Sequence, residues 1–178
     1  LLNDGRVKCW GFNEYGQLGN GTEKNSAVPV YVNGISDAVQ VSSSGRTSCA
    51  VLSTGGINCW GNNETGQVGD GTHTNRRIPV VVPGISTAVE VSAGDNHTCV
   101  RLRDGAVKCW GQQKFGGWAY SYVQSGPEYV EGILNAIQIS SGTDHTCALL
   151  AGGTIQCWGW NRYGQLGTRG EDTEPHLY

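Results

Sequence analysis

Apolar residues in this chain alternate with polar ones in short runs, and no stretch shows convincing helical periodicity. In Ala38–Val41, apolar Val39 and Val41 flank Gln40, the alternation of a half-buried strand. Thr47–Leu52, Ile57–Trp60 and Pro79–Val82 read as three further strands, the leading Pro79 suiting the start of an edge strand. Clusters of Gly, Asn, Asp and Ser punctuate the gaps.

The pattern repeats. Cys-Trp-Gly begins at Cys9, Cys59, Cys109 and Cys157, with spacings of 50, 50 and 48. Gly-Ile begins at Gly34, Gly84 and Gly132, and a second cysteine stands at Cys49, Cys99 and Cys147. Gly-Gln-Leu/Val-Gly occupies Gly16–Gly19, Gly66–Gly69 and Gly164–Gly167. Four strands in about 50 residues predict an all-β fold of propeller blades. The predicted units are a partial blade at 1–33 and blades at 34–83, 84–131 and 132–178. Leu1-Leu2 matches Val51-Leu52, and Pro175–Tyr178 matches Pro79–Val82. Together with the absence of Met, this reads as a segment of a longer propeller. Two such chains approach seven blades in length but fall out of phase.

The register of the central hairpin follows from its turn. Pairing Cys49 with Cys59 leaves a three-residue loop, Ser53-Thr54-Gly55, and Gly is also third in Asn3-Asp4-Gly5, Arg103-Asp104-Gly105 and Ala151-Gly152-Gly153. That is the left-handed position of a three-residue hairpin. Cys49–Cys59, Cys99–Cys109 and Cys147–Cys157 thus face each other within disulfide range. Cys9 is left over, its counterpart falling before Leu1. Disulfides point to an oxidising compartment: extracellular, periplasmic or cell-surface. Two alternatives stand beside them. The cysteines pack as reduced apolar residues, or His97 and Cys99, or His145 and Cys147, join an opposing cysteine at a metal. The second offers three ligands at most and no Cys-x-x-Cys spacing.

Val91–Gly111 (VSAGDNHTCVRLRDGAVKCWG), with the loop of the type at Gly11–Thr22, resembles the regulator of chromosome condensation repeat, above all its Cys-bearing bacterial and secreted branch. The resemblance covers nearly the whole chain. It implies part of a seven-bladed propeller. It also brings contrasting roles: bacterial members inhibit beta-lactamases through one rim of loops, and nuclear members drive nucleotide exchange on a small GTPase. Paired cysteines, and the lack of any insertion resembling the exchange wedge, argue against the latter.

Composition narrows the function. Gly makes up 28 of 178 residues, without the every-third spacing of collagen. Net charge is −3 with 15% charged residues, so no basic surplus supports nucleic-acid binding. No apolar run approaches a membrane span. No nucleophile–base arrangement, carboxylate pair or phosphate-binding loop stands out, so neither enzyme activity nor a cofactor or metal is expected. Trp10, Trp60, Trp110 and Trp158 recur once per unit and are expected between blades; His97 and His145, in register with Thr47, are expected to be structural. Gln17, Gln67 and Gln165 are expected to satisfy backbone groups in their turns. Asn20, Asn63 and Asn96 begin glycosylation sequons at no more than chance frequency, Asn20 and Asn63 in turns open to modification.

Function is sought where units differ. The third unit replaces the Gly-Gln-Leu-Gly loop with Lys114–Tyr122, adding Phe115, Trp118, Tyr120 and Tyr122 to what reads as a surface loop. Equivalent loops carry Phe12 and Tyr15, and Trp160, Arg162 and Tyr163. Aromatics outside the repeat register suggest an interface on one face, against the alternative that they pack within their own loops. The expected partner is a protein, with a glycan, further blades of the same chain or another copy as the alternatives.

Overall fold

The computed structural model describes residues 1–115 and 120–168; at 113–115 and 120–122 it describes the backbone alone. The predicted fourth strand of the last blade, Pro175–Tyr178, lies outside the described residues, as does Trp118. Within the described residues all regular structure is β, and no helix is long and apolar enough to cross a membrane.

The strands form four antiparallel sheets in chain order. Strands β1 (Lys8–Gly11) and β2 (Ser26–Tyr31) pair as a two-stranded sheet. A four-stranded blade follows, built from β3 (Ala38–Ser44), β4 (Thr47–Leu52), β5 (Ile57–Gly61) and β6 (Arg76–Val81). The next contains β7 (Ala88–Ala93), β8 (His97–Leu102), β9 (Val107–Phe115) and β10 (Tyr120–Tyr129). The last has β11 (Ala136–Ser141), β12 (His145–Leu150) and β13 (Ile155–Gly159).

The turn arithmetic holds. Leu52 N donates to the Gly56 carbonyl and Gly55 N to the Leu52 carbonyl, both at 2.9 Å, with φ +83° at Gly55. The conformation favours Gly, and so does space: a Cβ there would lie 2.5 Å from the Ser86 carbonyl oxygen of the next blade. Each turn also reaches forward, its glycine carbonyl accepting from Ala38, Ala88 or Ala136, the first residue of the next inner strand. The register places Cys49 opposite Cys59, Cys99 opposite Cys109 and Cys147 opposite Cys157. All three pairs are disulfides, with Cα–Cα separations of 4.0–4.1 Å.

The outer strands depart from expectation. Pro79 does not start its strand but sits inside β6. Between the pairs Cys59↔Val80 and Gly61↔Arg76, Trp60 alone faces residues 77–79, so Pro79 lies in a bulge where no ladder donor is needed. Pro29 in β2 and Pro127 in β10 occupy the same kind of irregularity. The bulges serve packing between blades: the Arg77 carbonyl accepts from Gly21 N and the Ser125 carbonyl from Gly71 N, each at 2.9 Å.

Apolar cores lie between successive blades. One joins Val51, Ile57 and the Cys49–Cys59 bridge to Val91, Val100 and Trp110; the next joins Val107 and Cys99–Cys109 to Ile133, Ile139 and Trp158. Around the axis, inner strands are stitched by side chains. Gln40 bonds both the amide and the carbonyl of Val91, and Ser42 Oγ accepts from Ala93 N. Ser92 Oγ likewise accepts from Ser141 N. Trp60, Trp110 and Trp158 are buried as expected, whereas Trp10 is 63% exposed because it stands at the open edge of the array.

Candidate functional site

The loop after the third strand of a blade is built around one asparagine. Asn63 is fully buried. Its Nδ2 donates to the carbonyls of Thr72 (3.0 Å) and Thr74 (3.1 Å) and to Asp70 Oδ1 (3.1 Å), while its Oδ1 accepts from Val68 N at 2.9 Å. Asn13 makes the corresponding bonds to Thr22, Lys24 and Leu18, and Asn161 Oδ1 accepts from Leu166 N. Two tight turns follow each asparagine, closed by Gly66 N to the Asn63 carbonyl and Gly69 N to the Gly66 carbonyl. Gln17, Gln67 and Gln165 accept through Oε1 from the amides of Tyr15, Thr65 and Tyr163, as the sequence suggested. Arg76 pairs with Asp70 at 2.6 Å. Burial pushes the Asp70 carboxyl up, but hydrogen bonds from Thr72 and Arg76 outweigh it and hold its pKa below the ordinary range. Asn63 is therefore an anchor, and its expected openness to glycosylation is wrong: the amide that would carry the sugar is enclosed and bonded.

The same loop locks the next blade. The Gln17 carbonyl accepts from Trp60 Nε1 and Ser48 Oγ, and the Gln67 carbonyl from Trp110 Nε1 and Thr98 Oγ1. Trp158 Nε1 is buried without a partner. The third unit explains this, because it has no Gly-Gln-Leu-Gly loop to supply that carbonyl.

In place of the loop the third unit has a hairpin. Gln113 stands where the other units have the anchoring asparagine. β9 and β10 continue pairing through Gln112↔Val123, Gln113↔Tyr122, Lys114↔Ser121 and Phe115↔Tyr120. The surface loop expected at 114–122 is thus strand up to Phe115 and again from Tyr120. Without the asparagine the turns cannot close, and the Tyr-Ser-Tyr-Val run favours extended backbone. Four residues beyond Gly111 carry β9 roughly 13 Å further at about 3.3 Å per residue. The backbones of Lys114, Phe115, Tyr120 and Tyr122 lie on this extension, and their side chains fall outside the described residues.

Antiparallel connectivity places these features on one face. The β1–β2, β5–β6 and β9–β10 connections, the segment after β13 and the β3–β4 turn all leave the same end of their sheets. On that face Phe12 and Tyr15 contact each other at 6.2 Å between centroids, and Arg46 lies 4.7 Å over the Tyr15 ring. Trp160 and Tyr163 form an edge-on pair at 5.3 Å, with Arg162 5.6 Å from the Tyr163 centroid. Phe12 is 45% and Tyr163 77% exposed. Each pair is thus packed locally while still presenting ring surface. The second blade has polar Asn62 and Thr65 at these positions. Arg46 was missed in the sequence, since it occurs in one turn only; the anchoring asparagines carried a signal in their three-fold register.

The recurrent histidine is structural in its contacts. His97 is buried, its Nε2 lies 2.8 Å from Thr146 Oγ1, and burial lowers its pKa to about 4 despite the opposing pull of Asp144. The Cys99 sulfur is bonded to Cys109, so neither offers a thiolate to a metal beside His97.

Comparisons agree with this architecture. The regulator of chromosome condensation (RCC1) repeat matches residues 4–51 and 54–101, and a second description of the repeat matches 38–67, 88–116 and 136–165. Among solved structures, human WBSCR16 is similar at 26% identity and a TM-score of 0.84, covering 99% of this chain and 49% of that one. Prp20p from Saccharomyces cerevisiae is similar at 21% identity and a TM-score of 0.82, covering 99% and 48%. Yeast RCC1 (Prp20) bound to Kap60 gives 24% and 0.79, covering 99% and 46%. The chain spans about half the length of each. No curated protein sequence matches it.

Proposed function

The chain belongs to the regulator of chromosome condensation (RCC1) repeat family, and on that footing we propose that it is a non-catalytic scaffold that binds a protein through the loop face. The observation that carries this reading is the exposed aromatic pair at the same position of two blades, Phe12–Tyr15 and Trp160–Tyr163, each beside an arginine. Such residues dominate protein interfaces, because aromatic rings and guanidinium groups supply large contact area and directional bonds. The hairpin of the third unit deepens the same face, with Lys114, Phe115, Trp118, Tyr120 and Tyr122 assigned to the contact. Two similar propellers are described with protein partners, Gsp1p and histones in one case and Kap60 in the other. Those partners belong to those proteins; what they support here is the use of the fold as a protein-binding surface. Three disulfides place the chain in an oxidising, extracellular, periplasmic or cell-surface setting.

A second reading is favoured by the recurrence of the aromatic pair, since rings repeated at one register also stack on sugars. One experiment separates the two. Phe12→Ala and Tyr163→Ala are compared with Leu134→Ser, a 74% exposed position in the β10–β11 connection on the opposite face. The assay is titration against a protein captured on the immobilised chain and against a glycan array. A protein-binding loop face predicts affinity losses of about 30-fold for the aromatic changes, the tenfold-per-1.4 kcal/mol equivalent of a ~2 kcal/mol contact. L134S should bind as wild type. Glycan binding lost with the aromatics would support the second reading, and equal binding by all variants would overturn both.

A further inference from the structure

The first sheet leaves one edge of β1 without a neighbour, whereas β5, β9 and β13 are each flanked on that side by β4, β8 and β12. A groove of about 380 Å³ runs along this edge, lined by Val7, Leu18, Val41, Cys49 and Trp60. Its wall contains a buried polar group with nothing to bond. Gln17 is 7% exposed, and its Nε2 has no partner. The Phe12 amide lacks the acceptor that Asn62, Gln112 and Trp160 find in the carbonyls of Arg46, Asn96 and Asp144. Val41 is half-buried, although its equivalents Val91 and Ile139 are 2% and 4% exposed beneath a preceding inner strand. Every one of these features is what removal of an inner β-hairpin would leave in the other blades.

Cys9 lies in the same groove. It holds the register position of Cys59, Cys109 and Cys157, each bonded to the residue directly opposite on the strand before it. The Cys9 thiol is half-buried, and burial pushes its pKa up, so it is shielded rather than set up as an exposed reactive thiolate.

The geometry points to Cys9 as the fourth bridge of the array, bonded to a cysteine on a strand seated along β1. The source of that strand is set by the turn that feeds β1. Leu2 N donates to the Arg6 carbonyl at 2.8 Å and Gly5 N to the Leu2 carbonyl at 3.1 Å, the bonding of the closed turns at 52–56 and 102–106. A polypeptide leading into Leu1 is therefore carried along the free edge of β1 and into the groove. By the register of Cys49 with Leu52, the bonded cysteine precedes Leu1 by two residues. A second copy is a poorer occupant, because its other cysteines among the described residues are bridged and its inner strands are paired within their own sheets. The bond forms by thiol–disulfide exchange with a disulfide-bearing oxidant. Each cysteine gives up its thiol proton, the sulfurs join, and the oxidant leaves as a dithiol carrying the two electrons.

The test is peptide mapping of the full polypeptide as its source makes it, with free thiols alkylated under denaturing conditions before any reduction. Trypsin cuts after Arg6, Lys8 and Lys24, so Cys9 falls in the peptide Cys9–Lys24. The proposal expects that peptide unalkylated, linked to the fragment ending at Arg6 and released only by reductant. Recovery of alkylated Cys9–Lys24 without reduction overturns it, and so does linkage to a different polypeptide.

Discussion

Replacing Asn63 by Ala removes the centre of the second loop, and the cost can be worked from its contacts. Val68 is fully buried, so its amide would lose its partner where water does not reach. An unsatisfied buried donor costs about 1–3 kcal/mol. The carbonyls of Thr72 and Thr74 lie nearer the surface and regain water at a smaller penalty, together about 1 kcal/mol. The expected loss is about 2–4 kcal/mol, or a drop in Tm of roughly 6–12 °C for a chain of this size. Thermal unfolding by circular dichroism reads it. Asn63→Asp sharpens the test. It keeps the acceptor for Val68 but puts a carboxylate about 3 Å from Asp70, so it should be more damaging at pH 7 than at pH 4. An N63A variant within ~0.5 kcal/mol of wild type would refute the reasoning, because the loops would then be held by something other than their asparagines.

Other consequences follow from the same contacts. Gly69→Ala combines φ +80° with a Cβ 2.5 Å from Trp110 Nε1; it should cost about 2–4 kcal/mol and red-shift tryptophan emission, and an unchanged spectrum would contradict the locking role of the loop. Removing one bridge as Cys99→Ala/Cys109→Ala should cost about 2.7 kcal/mol, from the entropy of a loop of about ten residues; equal urea midpoints for variant and wild type would count against it. His97 is lowered to about 4 in the fold against an ordinary value near 6.5. Its contribution is therefore complete above pH 6.5 and is lost as pH falls from there to 4, about 3 kcal/mol in all. Urea titrations across that range should show a slope that His97→Asn flattens, and parallel curves would exclude His97 as the source.

Much of this architecture was legible because a two-residue strand period and a three-residue turn leave little freedom of register. Placing Gly55 third in its turn fixes Cys49 opposite Cys59, and the disulfide follows. Pro79 misled because an edge strand has two places for a residue without an N–H, its first position and a bulge. The hairpin at 112–123 was hidden by reading the loss of Gly-Gln-Leu-Gly as a looser loop. The substitution that mattered was Gln113 for asparagine, since Gln is one methylene too long to make the Asn63 contacts from the same backbone position. Asn63 itself looked like a sequon because burial is invisible in three residues. Arg46 over Tyr15 joins two blades, and nothing local to either segment announces it.

The most direct test of the binding account is a hydrogen–deuterium exchange footprint of the protein with its captured protein partner. The account predicts slowed exchange in 12–16, in the β9–β10 hairpin and in 160–164, with the β10–β11 connection around Leu134 unchanged. Protection confined to that connection, or to the outer strands β2 and β6, would contradict it.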